Sequence, residues 1–155
     1  MKQEQRLVAE LYRFLAPFID TTRDIYVSLD GQAADTAVAA GRFSDAALPD
    51  LWFTLVGAKS KTLIEAKIIE DEGGALLMQS QLSAWRTSGN GAYKPNFWVA
   101  ANRSFDTYYF WTHADFLPSL DKSKAKSKTL TLRPPSSLIT FKHLQELALH
   151  ILKSA

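Results

Sequence analysis

Three residues in the first half of the chain combine reactive types with a spacing that brings them together. In the segment TLIEAKII, residues 62–69, strict alternation puts Leu63, Glu65 and Lys67 on one face of a strand and Ile64, Ala66 and Ile68 on the other. A carboxylate and an ammonium then sit side by side in an otherwise apolar run. Desolvating them is costly unless something compensates, such as a metal or a phosphate. Pro49-Asp50 opens the preceding apolar segment, and a tight return through GAKSK lays Asp50 near Glu65. Two converging carboxylates repel unless a cation lies between them, and Mg²⁺ prefers one or two carboxylates with waters and phosphate oxygens. The three residues describe a metal site awaiting a phosphate.

The elements that must position them can be read from periodicity. Leu7, Leu11, Phe14, Leu15 and Phe18 recur at helical spacing and predict a helix from about Glu4 to Ile19. DIYVSLD, residues 24–30, has the alternation of a short strand, and the Ala-rich stretch 31–47 fits a short helix or a loop. Strands are expected over about 50–56 and 62–69, both apolar on two faces, as in a sheet covered by helices on each side. The lack of β-branched residues over Ala75 to Arg86 favours a helix, and FWVAAN at 97–102 reads as a buried strand. DTYYFWTHADFL is a helix or an extended segment that Pro118 closes, and TLTLR is an edge-strand candidate. Pro134-Pro135 precedes a final amphipathic helix from about Ser137 to Lys153. This order favours one domain over residues 1–155, a mixed α/β sheet with helices on both faces.

Composition narrows the function classes. The chain has 155 residues, 46% apolar and 22% charged, enough for an ordinary core. The absence of cysteine removes disulfides, thiolate zinc sites and cysteine nucleophiles, leaving hard metals on oxygen ligands. The charged N-terminal segment lacks the apolar core of a signal peptide, and no apolar run approaches a membrane span, so a cytoplasmic protein without membrane contact is expected. The net charge of +2 divides into −4 over residues 1–75 and +6 over 76–155, an acidic half suited to cations and a basic half suited to phosphates. His113, His143 and His150 form no metal-ligand pattern. GAKS resembles half a P-loop, but Trp52 stands where its first glycine would be, so no nucleotide cofactor is expected.

Pro49-Asp50, a fourteen-residue interval and Glu65-Ala66-Lys67 resemble the pattern of the PD-(D/E)XK nuclease superfamily. Members commonly place a glutamate on the first helix, where Glu10 borders the apolar stripe, with Glu4 its nearest competitor. Many carry a Gln-x-x-x-aromatic arrangement on a later helix, which Gln81 and Trp85 resemble. The resemblance implies a restriction-endonuclease-like αβββαβ core flanked by helices, with a C-terminal helical extension. It further implies Mg²⁺ or Mn²⁺ on Asp50, Glu65 and the Ala66 carbonyl, with Lys67, Glu10 and Gln81 completing a catalytic set. The implied activity is hydrolysis of DNA phosphodiester bonds, as an endonuclease before an exonuclease, with a homodimer suited to duplex cleavage. Lys122, Lys124, Lys126, Lys128 and Arg86 are candidate phosphate contacts, with Lys94 and Arg103 on weaker grounds. Plainer readings stand beside these. Glu65 and Lys67 also fit a strand-surface ion pair, Asp50 turn chemistry, Glu10 a solvated helix position, and the lysine series a solvated linker. The alternative function is a non-catalytic DNA-binding or assembly protein that retains the nuclease fold.

Overall fold

A computed structural model describes residues 3–28, 49–69, 75–78, 95–112, 115, 120–121, 129–132 and 140–155. The first helix, α1, runs Gln3–Leu15 and buries Leu7, Val8, Leu11 and Leu15. It stops earlier than its periodicity suggests. Ala16 precedes Pro17, a position where helical backbone is crowded, and a 3-10 turn at Ala16–Phe18 follows. Phe14 and Phe18, expected in the buried stripe, are exposed as a result.

Among the described residues nine strands follow: β1 Tyr26–Val27, β2 Leu51–Phe53, β3 Thr62–Ile69, β4 Ala75–Met78, β5 Phe97–Asn102, β6 Tyr108–Thr112, β7 Leu120–Asp121, β8 Thr129–Leu132 and β9 Thr140–Phe141. Six of them form a mixed open sheet in the order β1-β2-β3-β5-β6-β9. The β2–β3 and β5–β6 pairs are antiparallel, whereas β3 and β5 run parallel with Glu65 opposite Trp98 and Lys67 opposite Ala100. The remaining three strands form a second sheet in the order β4-β8-β7. The last helix, α2, runs Leu144–Ser154.

The core lies on one face of the six-stranded sheet. Leu51, Phe53, Ile64, Ala66, Ile68, Phe97, Val99, Ala101 and Phe110 meet Leu7, Val8, Leu11 and Leu15 of α1 and Leu144, Leu147, Ala148 and Ile151 of α2. Among the described residues both helices therefore cover the same face, not opposite faces as expected. The other face carries Trp52, Leu63, Glu65, Lys67, Trp98, Ala100 and Trp111, all buried.

Three further expectations are corrected. Residues 75–78, expected to open a helix, form β4 and pair with β8; Leu and Met tolerate either backbone, and the ladder outweighs a weak helical propensity. TLTL is the middle strand of its sheet, not an edge. The last helix begins at Leu144, because Thr140 and Phe141 are taken up as an edge strand on β6. Among the described residues no helix is long and apolar enough to cross a membrane.

Candidate active site

The site is built on the β2–β3 hairpin. Its turn is held by Gly57 at φ 83, by the Ala58 N–H donating to Leu55 O at 2.9 Å, and by the Val56 N–H donating to Phe18 O at 2.9 Å. β2 is short and starts at Leu51, opposite Ile64, so beyond that point β3 outruns its partner. Asp50 fills the place left. Its N–H donates to Ile64 O at 3.1 Å although Leu51 already faces Ile64, so two consecutive residues meet one, as in a β-bulge. Bulges re-aim side chains, and here the Asp50 carboxylate turns to the edge of β3, where Oδ2 accepts the Ala66 N–H at 2.8 Å. The N–H and C=O of a strand residue point to the same side, so the Ala66 carbonyl also lies on the Asp50 edge.

Glu65 and Lys67 point from β3 to the face opposite the helices, with 3% and 9% of their surfaces exposed. Lys67 Nζ stands 3.6 Å from Glu65 Oε1. Burial drives the Glu65 carboxyl well above the usual range, and the Asp50 charge beside it drives it further. Burial also raises Asp50, against the opposing pull of the Ala66 N–H and the Lys67 charge. The two carboxyl groups are within hydrogen-bonding reach of each other. Glu65 Oε2 is buried and receives no donor among the described residues. A proton or a cation is what such a pair lacks. Burial alone would lower Lys67, but Glu65, Glu4 and Asp50 together outweigh it and leave the pKa raised, so Lys67 remains a cation.

Asp50, Glu65, Ala66 and Lys67 are thus brought together. Glu10 lies elsewhere: it pairs with Arg6 at 3.1 Å, and Arg6 in turn covers the Phe105 ring at 4.0 Å. The carboxylate of α1 whose charge reaches Glu65 and Lys67 is Glu4. The signal for it was present in the helix period, since Glu4 precedes Leu7 by three and Val8 by four and so continues the buried stripe toward the sheet. Gln81, Trp85, Arg86, Lys94, Lys122, Lys124, Lys126 and Lys128 lie outside the described residues, as does His113. Arg103, at the β5–β6 turn, is exposed and accepts at its carbonyl the Gln3 side-chain amide at 2.9 Å. His150 packs edge-on against Phe110 and beside Phe141, a structural role.

Asp50, Glu65 and the Ala66 carbonyl are the oxygen donors that could hold a hard divalent cation, and with both carboxyl groups ionised the cluster is net negative. Among the described residues no group of three or more His, Cys, Asp or Glu side chains gathers at one point. Mg²⁺ does not require one, because it keeps several waters and takes one or two carboxylates. No protein-family model, curated protein or solved structure matches the chain.

Proposed function

We propose that this chain is a divalent-metal-dependent nuclease with a restriction-endonuclease-like fold, hydrolysing DNA phosphodiester bonds at Asp50, Glu65 and Lys67. The observation that carries the reading is the convergence of the Asp50 and Glu65 carboxyl groups where β2 begins, with the Lys67 ammonium 3.6 Å from Glu65 Oε1. The order α1, β1, β2, β3 ahead of β5 supports the fold assignment.

Asp50, Glu65 and the Ala66 carbonyl would hold Mg²⁺ or Mn²⁺, and the orphaned Glu65 Oε2 fits that role. Such a cation, when bound, supplies an acidified water and offsets charge on the scissile phosphate. The chain's own residues do the rest. The Ala66 N–H fixes the Asp50 carboxylate. Glu65 steadies Lys67, whose ammonium donates to the phosphate oxygens as negative charge builds on them. The oxygen of water bonds to phosphorus and releases a proton to solvent, one ester P–O bond breaks, and the departing oxygen takes up a proton from solvent. A homodimer, presenting two such sites to two strands, belongs to the same proposal.

The test is cleavage of supercoiled, linear and branched DNA with Mg²⁺ or Mn²⁺. Asp50→Asn and Lys67→Ala should each lose on the order of 10²-fold or more in rate, the scale at which charge-stabilising groups act. Inactivity of the wild type on every form, or unchanged cutting by both variants, overturns the reading. One observation favours a non-catalytic DNA-binding or assembly protein instead: the raised Glu65 carboxyl lets a single proton close the pair with no metal. Calorimetry separates the two, since only the nuclease reading requires a Mg²⁺ or Mn²⁺ binding heat that Asp50→Asn abolishes.

A further inference from the structure

A second site lies at the other end of the same hairpin, on the helix side of the sheet. The β2–β3 turn, the start of β5 and the end of α2 line a cavity of about 340 Å³, and Lys59, Ser60, Lys61, Thr62, Asn96 and Ser154 supply its polar side chains. Leu55 and Phe97 give it an apolar floor. Its side-chain chemistry is one-sided: two lysines, three hydroxyls, of which that of Ser154 is spent on His150 O, and an amide, with no Asp or Glu.

Two of these groups are held in place at the cavity by strand β3. Thr62 is only 7% exposed, yet it lines the cavity. Asn96 is clamped on β3, its Oδ1 accepting the Leu63 N–H and its own N–H donating to Leu63 O, each at 2.8 Å. With Oδ1 committed, the amide NH₂ is the part left to donate. The turn itself is pinned from below, since the Arg23 guanidinium donates to Ala58 O at 3.1 Å and to Lys59 O at 3.5 Å. Lys61 is held only loosely and toward the opposite face of the sheet, by Asp24 at 3.9 Å and over the Trp52 ring at 5.7 Å, contacts it would exchange for a ligand. The C-terminal end of α2 contributes roughly half a negative charge and Asp24 a whole one, which Lys59, Lys61 and Arg23 together exceed. Strand β3, not a helix, follows the turn, so backbone amides of the P-loop kind play no part.

We propose that this cavity binds a phosphate group, held by the Lys59 and Lys61 ammoniums, the Thr62 hydroxyl and the Asn96 amide. Its source is free inorganic phosphate or the terminal phosphate of a nucleic acid, whose sugar the apolar floor would support. The site is independent of the metal-binding proposal: Thr62 and Glu65 stand three residues apart on β3, about 10 Å at about 3.3 Å per residue, and face opposite sides of the sheet.

The experiment is calorimetric titration of the full chain, in EDTA so that no cleavage intervenes, with inorganic phosphate and with a short 5′-phosphorylated oligonucleotide. Saturable binding of either probe is expected, weakened at least tenfold in Lys59→Ala/Lys61→Ala and several-fold in Thr62→Val, with Asp50→Asn unchanged. Tighter binding of the phosphorylated oligonucleotide than of its unphosphorylated form assigns a nucleic-acid source, and equal affinity for phosphate alone assigns the free ion. Should Thr62→Val not fold, the lysine pair, exposed on the turn, decides. Absence of saturable binding by both probes, or full retention in the lysine variant, overturns the site.

Discussion

Asp50 Oδ2 accepts the main-chain N–H of Ala66 at 2.8 Å, so a side chain takes the place that the next residue of a longer β2 would have held in the ladder. This one bond joins structure to chemistry. It satisfies a buried donor and brings a carboxylate against Glu65. Removing the acceptor leaves that donor unmet, a loss of about 1–3 kcal/mol. Asp50→Ala should therefore lower the urea midpoint by a corresponding amount, whereas Asp50→Asn, which keeps an acceptor oxygen, should hold most of the stability. Equal losses in the two variants would argue against the bond as the reason Asp50 is placed here.

A cation that binds only the folded chain stabilises it by mass action, about 2.7 kcal/mol at one hundred times its dissociation constant. Under the metal-dependent reading, Mg²⁺ or Mn²⁺ should raise the melting temperature in a concentration-dependent way, and EDTA should reverse the rise. Asp50→Asn and Glu65→Gln should abolish it. Ca²⁺, which demands more oxygen ligands, should act more weakly than Mn²⁺. A melting temperature indifferent to all three ions would count against metal binding without reference to any substrate.

The pH dependence of the metal-free chain follows from the raised carboxyls. Burial, joined at Glu65 by the Asp50 charge, holds the folded Glu65 and Asp50 pKa values above their ordinary values of about 4. Between the ordinary and the raised values the folded chain keeps protons that the unfolded chain has released. Stability is thus fully present below about pH 4 and is lost as pH rises through the folded values. Lys67, also raised, loses its contribution only in the alkaline range above the usual lysine value, so it leaves this window unchanged. Urea midpoints in EDTA between about pH 4 and pH 8 should fall for the wild type and fall less for Glu65→Gln. Parallel curves would refute this assignment.

Much of this site was legible because two strands, β3 and β5, carry apolar residues on both faces: both match their expected limits, Thr62–Ile69 and Phe97–Asn102. Glu65 and Lys67 follow at once from alternation within β3. The bulge at Asp50 was not legible, since it depends on how far β2 extends against β3, a property of the pairing rather than of either segment. Ala75–Met78 misled for a related reason. Its residues, Ala, Leu, Leu and Met, favour a helix by local propensity, and its partner, Thr129–Leu132, stands more than fifty positions away. Phe14 and Phe18 fit the helical period, but Pro17 ends the helix between them.

The choice between Glu4 and Glu10 gives the most discriminating test of the site's first-helix member. Glu10 is a helix-surface residue in an i,i+4 pair with Arg6, whose side chain is 52% exposed, and such pairs contribute a few tenths of a kcal/mol. Glu10→Gln should thus leave stability within about 0.5 kcal/mol and change neither metal-induced stabilisation nor cleavage. Glu4 acts differently, because its charge bears on both Glu65 and Lys67 across a poorly screened interior. Removing it lessens the repulsion on Glu65 and weakens the pull of the site on a divalent cation. Glu4→Gln should therefore reduce the Mg²⁺-dependent rise in melting temperature while slightly steadying the metal-free chain. If Glu10→Gln weakened the metal response and Glu4→Gln did not, the first-helix carboxylate would have to be reassigned to Glu10.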